Sequence, residues 1–219
     1  MVLLDPLARS VPGLRSPWLV AMAWVASTVG DSAVYLVPIG IALLWVASLR
    51  PTALRVDAAL RQLWLALLFA FIAIAASGLA VNVIKRVIGR VRPNSLGDLP
   101  TLSFDVLGWD AKHASFPSGH AMTIAAVGAV IFLFAGRRSL PLLLAAIVFV
   151  GAGRIILGAH FPADVVAGAF FGWFLTVELA RFLARRGLVF RETASDGLVP
   201  RGTNAAKTLR ALIARRGAF

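Results

Sequence analysis

Long uncharged runs alternate with short charged clusters along this chain. A helix that crosses a bilayer needs about 20 mostly apolar residues. Trp18 to Val29 is apolar but short, and Gly30-Asp31-Ser32 interrupts it. The pattern predicts an interfacial helix there, with Trp18 and Trp24 at headgroup level. Ser32 to Leu49 predicts a first span, with Asp31 capping it and Pro38 as a kink. Arg50, Arg55 and Arg61 mark a basic loop, and Gln62 to Ile84 predicts a second span. Lys85 to Gly119 reads as a polar loop holding Pro93, Pro100 and Pro117. Ala121 to Gly136 is the third predicted span, followed by a basic turn at Arg137 and Arg138. Ser139 to Leu157 is the fourth, with Arg154 near its end, and Val165 to Ala184 is the fifth. The expected fold is all-α, a polytopic transmembrane bundle of about five to six spans. It divides into an N-terminal interfacial segment (1–31), a transmembrane domain (32–184) and a basic cytoplasmic tail (185–219). The chain shows no internal repeat.

Composition agrees with the pattern. The chain is 59% hydrophobic with a mean hydropathy of +0.85, where soluble domains hold about 45–50% apolar residues. It reads as a membrane protein. The absence of cysteine excludes disulfides and thiolate metal sites. Met1 to Val11 carries Asp5, Pro6 and Arg9 and lacks the basic start and apolar core of a cleaved signal peptide, so the later helices act as their own insertion signals.

The net charge of +12 invites a nucleic-acid reading, but its distribution assigns it to membrane orientation. With five spans, Arg50/Arg55/Arg61, Arg137/Arg138 and the tail share one side. The tail holds nine Lys and Arg from Arg181 to Phe219 against Glu192 and Asp196. The positive-inside rule makes that side cytoplasmic. Asn204 to Ala214 reads either as an amphipathic helix on anionic lipid or as a disordered tail. Leu198-Val199-Pro200-Arg201-Gly202 resembles a protease-tag scar, but the residues beyond it read as native chain.

The opposite face breaks the charge rule. It carries Lys85, Arg86, Arg90, Arg92, Lys112 and Arg154. Charge at membrane depth is costly unless used, so an anion site is expected there. Lipid headgroups alone account for Arg86 and Arg90. On the same face, Pro117-Ser118-Gly119-His120 opens an uncharged helix. Ser118 is a candidate N-cap, and free amides with the positive helix end favour an anion. His120 exchanges a proton near neutral pH in its ordinary state.

Three pieces therefore share a face: Lys85, six residues, Arg92-Pro93; Pro117-Ser118-Gly119-His120; and Arg154, five residues, His160, three residues, Asp164. Together they resemble the type 2 phosphatidic acid phosphatase (PAP2) family of membrane phosphatases, related in fold to vanadium haloperoxidases. The motifs run from Lys85 to Asp164, and the surrounding spans extend the likeness to roughly residues 32–184. Two departures stand out. The third motif usually begins Ser-Arg; here Gly153 precedes Arg154, which removes one hydroxyl donor. The family core often has six spans, and the first is absent here or reduced to the interfacial helix.

The resemblance gives these residues roles that their chemistry supports. Lys85 offers a point charge, and Arg92 and Arg154 offer planar forks for phosphate. The Ser118 hydroxyl and the Gly119 amide add neutral donors. The resemblance makes these five a phosphate cradle. It makes His160 the nucleophile that forms a phosphohistidine. Asp164, four residues on, would hold the imidazole tautomer and stabilise the imidazolium. His120 would protonate the leaving group and then activate water. The family works without a metal ion or other cofactor, and Asp98, Asp105 and Asp110 have no metal-ligand spacing. His113 reads as a loop surface residue or a substrate contact. Glu178 is expected to pair with Arg181 or a neighbour. Phe69, Phe71, Phe170, Phe171 and Trp173 read as core or lipid-facing residues.

The implied function is phosphate removal from a lipid phosphate or diphosphate, on the extracytoplasmic face of a bacterial inner membrane. The partners are the bilayer and the lipid phosphate, with no nucleic acid; the oligomeric state is open. Candidate substrates are undecaprenyl diphosphate, phosphatidylglycerol phosphate and phosphatidic acid, with lipid A phosphate as an alternative. The bacterial look of the composition puts the first two ahead. A lipid phosphotransferase would share every residue. A vanadate haloperoxidase conflicts with the hydrophobic spans, and a non-catalytic binder has no need of His120, His160 and Asp164.

Overall fold

The structure, a computed structural model, describes residues 5–6, 11, 15–49, 54–193 and 197–201. The Asn204–Ala214 segment lies outside the described residues. Six α-helices follow in order: α1 Pro17–Val29, α2 Ala33–Ser48, α3 Leu54–Ile88, α4 Gly119–Ala135, α5 Leu140–Ile156 and α6 Pro162–Arg185. Pro17 and Pro162 open α1 and α6, where a proline's missing N–H costs nothing. The stretches Pro17–Ser48, Ala58–Ile88, Arg137–Ile156 and Pro162–Arg185 are long and apolar enough to cross a bilayer, and Gly119–Ala135 is a shorter apolar helix. The expected helical, multi-pass architecture is present.

Helix α4 is the axis of the bundle. Its residues Ala121, Met122, Ala125, Ala126 and Ala129 are fully buried, as expected for a helix that is apolar on every side. Helices α3, α5 and α6 pack around it. Gly168 and Gly172 on α6 let the two backbones meet. A Cβ at either position would run into the carbonyl oxygen of Ser118 or Met122. This is close packing by small residues, the usual basis of helix association in lipid.

Two expectations change. Trp18 to Val29 was expected to lie in the interface. Instead α1 runs antiparallel along α5, with Ala23, Ala26 and Ser27 buried. Ala23 and Ala26 face Gly153, and Gly30 faces Val150. Helices α1 and α2 thus form one apolar stretch, broken at Gly30-Asp31-Ser32. Asp31 accepts the amide of Ala33 at 2.9 Å to restart the helix. Trp18 and Trp24 point outward.

The second change concerns the segment after α6. A β-hairpin follows, β1 Phe190–Thr193 paired antiparallel with β2 Gly197–Pro200. Phe190 is fully buried and meets Phe69 edge-on at 4.9 Å. Leu133, Ala180 and Val189 complete that cluster. So the region expected to be only a basic tail first closes one end of the bundle. Leu198-Val199-Pro200 is β2 itself, and Arg201 Nε donates to the Phe190 carbonyl at 3.0 Å. Glu178 and Arg181 pair as expected.

Candidate functional site

The site lies at the other end of the bundle. The C-terminal turns of α3 and α5 bring Lys85 and Arg154 there, and the N-terminal turns of α4 and α6 bring Gly119, His120 and Asp164. The loop from α3 to α4 begins at Gly89, whose φ of +62° and contact with the Asp105 carbonyl leave no room for a side chain. It then runs extended. The Val91 amide donates to the Ser103 carbonyl at 3.0 Å, and the Arg92 amide to the Lys112 carbonyl at 2.8 Å. Pro93 begins a 3₁₀ turn, and the Asn94 amide donates to the Gly158 carbonyl at 3.0 Å. That bond ties the first motif to the loop holding His160. The Ser118 amide donates to the Asp164 carbonyl at 2.9 Å and ties the second motif to the third.

These ties gather the eight residues expected from the sequence. Lys85 Nζ lies beside Gly119, 3.7 Å from where a Cβ would stand. The charges that reach Lys85 are those of Arg92, Arg154, Asp164 and Arg86. Three donors in this cluster, Ser118 Oγ, Arg92 Nε and Arg154 Nε, are buried without a partner among the described residues. Buried donors are nearly always paired. Ser118 therefore differs from expectation: it stands at the N-cap position, but its hydroxyl caps nothing.

His160 is buried in the turn before α6. Its Nδ1 lies 2.6 Å from the Ser115 carbonyl oxygen. A carbonyl only accepts, so the proton sits on Nδ1 and the lone pair on Nε2. The tautomer was expected to be set by Asp164, but that carboxylate is 3.9 Å from Nδ1. Asp164 instead accepts from Arg90 Nη1 at 2.5 Å, Ser115 Oγ at 2.5 Å and the Phe161 amide at 2.9 Å. It holds both chain segments that frame the imidazole and places a negative charge nearby.

Burial pushes the His160 imidazole down to about 4. Between about 4 and its ordinary value of 6.5 the unfolded chain binds a proton that the native site refuses. Acidification through that window therefore costs stability. The melting temperature is expected to fall as pH drops from 6.5 towards 4, and His160→Asn to flatten part of that slope. An unchanged slope in that variant would contradict a neutral His160.

Four contributors were not expected from the sequence. Arg90, read there as a headgroup contact, is buried and bonds Asp164, the Thr101 carbonyl at 3.0 Å and Asp5 Oδ2 at 2.8 Å. Its guanidinium covers the Phe161 ring at 4.1 Å. Asp5, also buried, accepts the Ala163 amide at 3.0 Å. Ser115 supplies the carbonyl and hydroxyl described above. Ser27 on α1 touches both Arg154 and His120. Arg86 stays outside the cluster, donating to the Trp109 carbonyl at 2.6 Å. His113 sits 3.1 Å from Asp105 in the outer loop.

The PAP2 superfamily pattern matches residues 63–188, from within α3 to just past α6. The chain belongs to the PAP2 superfamily. All three motifs lie inside the PAP2 match. Among PAP2-related proteins, lipid A 1-phosphatase from Rhizobium etli is 37% identical over 151 residues, which cover 69% of this chain and 62% of the relative. Decaprenylphosphoryl-5-phosphoribose phosphatase from Mycolicibacterium smegmatis is 35% identical over 125 residues, 57% of this chain and 62% of the relative. The chain spans less than two thirds of the length of either relative. In three dimensions it is similar to a transmembrane PAP2-type phosphatidylglycerolphosphate phosphatase from Bacillus subtilis, with a TM-score of 0.56 and 25% identity over 83% of this chain and 84% of that one.

Proposed function

We propose that this PAP2 protein is a lipid phosphatase that removes phosphate from a membrane lipid through a phosphohistidine. The observation that carries the reading is a set of unpaired buried donors, Ser118 Oγ, Arg92 Nε and Arg154 Nε, beside a histidine whose Nε2 holds the lone pair. Lys85, Arg92, Arg154, Ser118 and the Gly119 amide hold the phosphate oxygens. The His160 Nε2 lone pair attacks phosphorus, and the ester P–O bond breaks as the P–N bond forms. The leaving oxygen takes a proton from His120. The Ser115 carbonyl keeps its bond to Nδ1–H, and Asp164 offsets the positive imidazolium. Water then attacks phosphorus and gives a proton to His120; the P–N bond breaks, its electron pair returns to His160 Nε2, and inorganic phosphate departs. The chain's own residues supply every group in this sequence, without a metal ion.

Among substrates, a lipid A phosphate now comes ahead of undecaprenyl diphosphate and phosphatidylglycerol phosphate, because the similar Rhizobium etli protein is a lipid A 1-phosphatase. The site sits at the end away from the Arg137-Arg138 turn, which supports an extracytoplasmic site in an inner membrane. The test is phosphate release in detergent from lipid A, phosphatidylglycerol phosphate, undecaprenyl diphosphate and phosphatidic acid, with and without EDTA. Release from lipid A that resists EDTA is expected. No release from any lipid would defeat the phosphatase reading, and metal-reversible loss would defeat the metal-free one. The chain has no cysteine, so a single one placed in the 94–116 loop reports sidedness. Labelling only from the cytoplasm would reverse the orientation.

A further inference from the structure

Ser27 is a buried hydroxyl on the otherwise apolar face that α1 lays against α5. Its neighbour Thr28 turns back to the carbonyl one turn earlier, Trp24 O at 3.2 Å, as helical hydroxyls commonly do. Ser27 turns across the helix boundary instead. Its Oγ receives Arg154 Nη1 at 2.6 Å and lies 3.2 Å from His120 Nε2. A guanidinium only donates, so Ser27 accepts from Arg154, and its own hydrogen is free to point at His120 Nε2. In that arrangement His120 is neutral with its proton on Nδ1. When His120 carries a second proton, the same hydroxyl accepts from Nε2–H by rotating its hydrogen. An alkyl group can do neither.

The reach of Ser27 depends on Gly153, the residue before Arg154. A Cβ there would stand 2.7 Å from Ala26 Cβ and 3.1 Å from the Ala23 carbonyl oxygen. Both belong to the α1 face that holds Ser27. Glycine at 153, where the resemblance leads one to expect serine, is thus the contact that lets α1 approach. A hydroxyl from α1 then meets the Arg154 guanidinium.

We propose that Ser27 is a positioning residue that orients His120 and Arg154, and that Gly153 acts by bringing it there. The kinetic consequence rests on the phosphatase reading; the contacts do not. The charged groups whose fields also reach His120 are Arg154, Asp31, Lys85 and Arg92, and none of them is altered in the test.

The test has two arms. In the first, ¹⁵N-histidine spectra are recorded in detergent at mildly alkaline pH. The chain has three histidines, so His113→Gln and His160→Asn assign the signals. Wild type is expected to show the Nδ1–H tautomer of His120 with a hydrogen-bonded Nε2. Ser27→Ala should change that signature, and Ser27→Thr should keep it. In the second arm, Ser27→Ala and Gly153→Ala should each lower kcat about tenfold or more, the scale of one lost charge-assisted bond. Their double variant should be no worse than the worse single, because both act through one contact. An unchanged His120 spectrum with release within about twofold of wild type would overturn the proposal, as would singles that multiply in the double variant. If wild type released no phosphate, the phosphatase reading would fail and the spectra would still decide the role of Ser27.

Discussion

His160→Ala is expected to lower phosphate release by more than about 10³-fold, the scale seen when a catalytic nucleophile is removed. The cradle would remain, so binding should survive where turnover does not. The reason is local to the turn before α6. The Ser115 carbonyl takes the Nδ1 proton at 2.6 Å, which leaves Nε2 as the nucleophilic atom of the ring. No neighbouring cysteine can substitute, since the chain has none. A companion experiment separates the two histidines. With an aryl phosphate, whose leaving group needs no proton, His120→Ala should still be phosphorylated but hydrolyse slowly. An acid-labile, base-stable label should then accumulate on the protein and vanish in His120→Ala/His160→Ala. Near-normal turnover of His160→Ala, or a label that survives its removal, would end the phosphohistidine mechanism.

The motif residues were legible because charge in an apolar chain must be explained. Lys85, Arg154 and Asp164 stand in the end turns of apolar helices and Arg92 in the loop after the first of them, at spacings that lipid headgroups do not impose. Arg90 was misread because it lies between two motif residues in a loop, where a headgroup is a sufficient explanation for a cation. Its partners, Asp5 and Asp164, are 85 and 74 residues away. Only the packed fold reveals them. Ser27 was invisible for the same reason, being 93 residues from His120 and 127 from Arg154. A hydroxyl on an apolar helix has no signature of its own. The role of α1 was obscured by Asp31, whose charge ends an apolar run. In the fold that charge serves the restart at Ala33 and leaves the helix path through the bundle. The hairpin did leave a trace. Asp196-Gly197 between Phe190–Thr193 and Leu198-Val199 is a common hairpin signal, but the excess of basic residues around it suggested a solvated tail.

Arg90→Met is the second large expectation: loss of folded protein, and at least about 100-fold lower activity in what folds. Arg90 is 3% exposed and joins two carboxylates, Asp5 and Asp164, that are each fully buried. Taking two charges out of water is offset here by one guanidinium that bonds both. Removing it leaves both without their bonded countercharge, at a cost of about 3–5 kcal/mol, typical when one partner of a buried pair is lost. The damage reaches the chemistry through Asp164, which otherwise holds Ser115 Oγ and the Phe161 amide on either side of His160. Arg90→Lys should fall between, because a single ammonium lacks the fork that spans the pair. The network also predicts a rescue. Asp5→Asn keeps an oxygen for the Ala163 amide but removes one stranded charge. Thermal unfolding should therefore find Arg90→Met/Asp5→Asn more stable than Arg90→Met, while Asp5→Asn alone is no more stable than wild type. If the two substitutions simply add, Asp5 and Asp164 do not share Arg90, and the N-terminal segment has no part in holding the site.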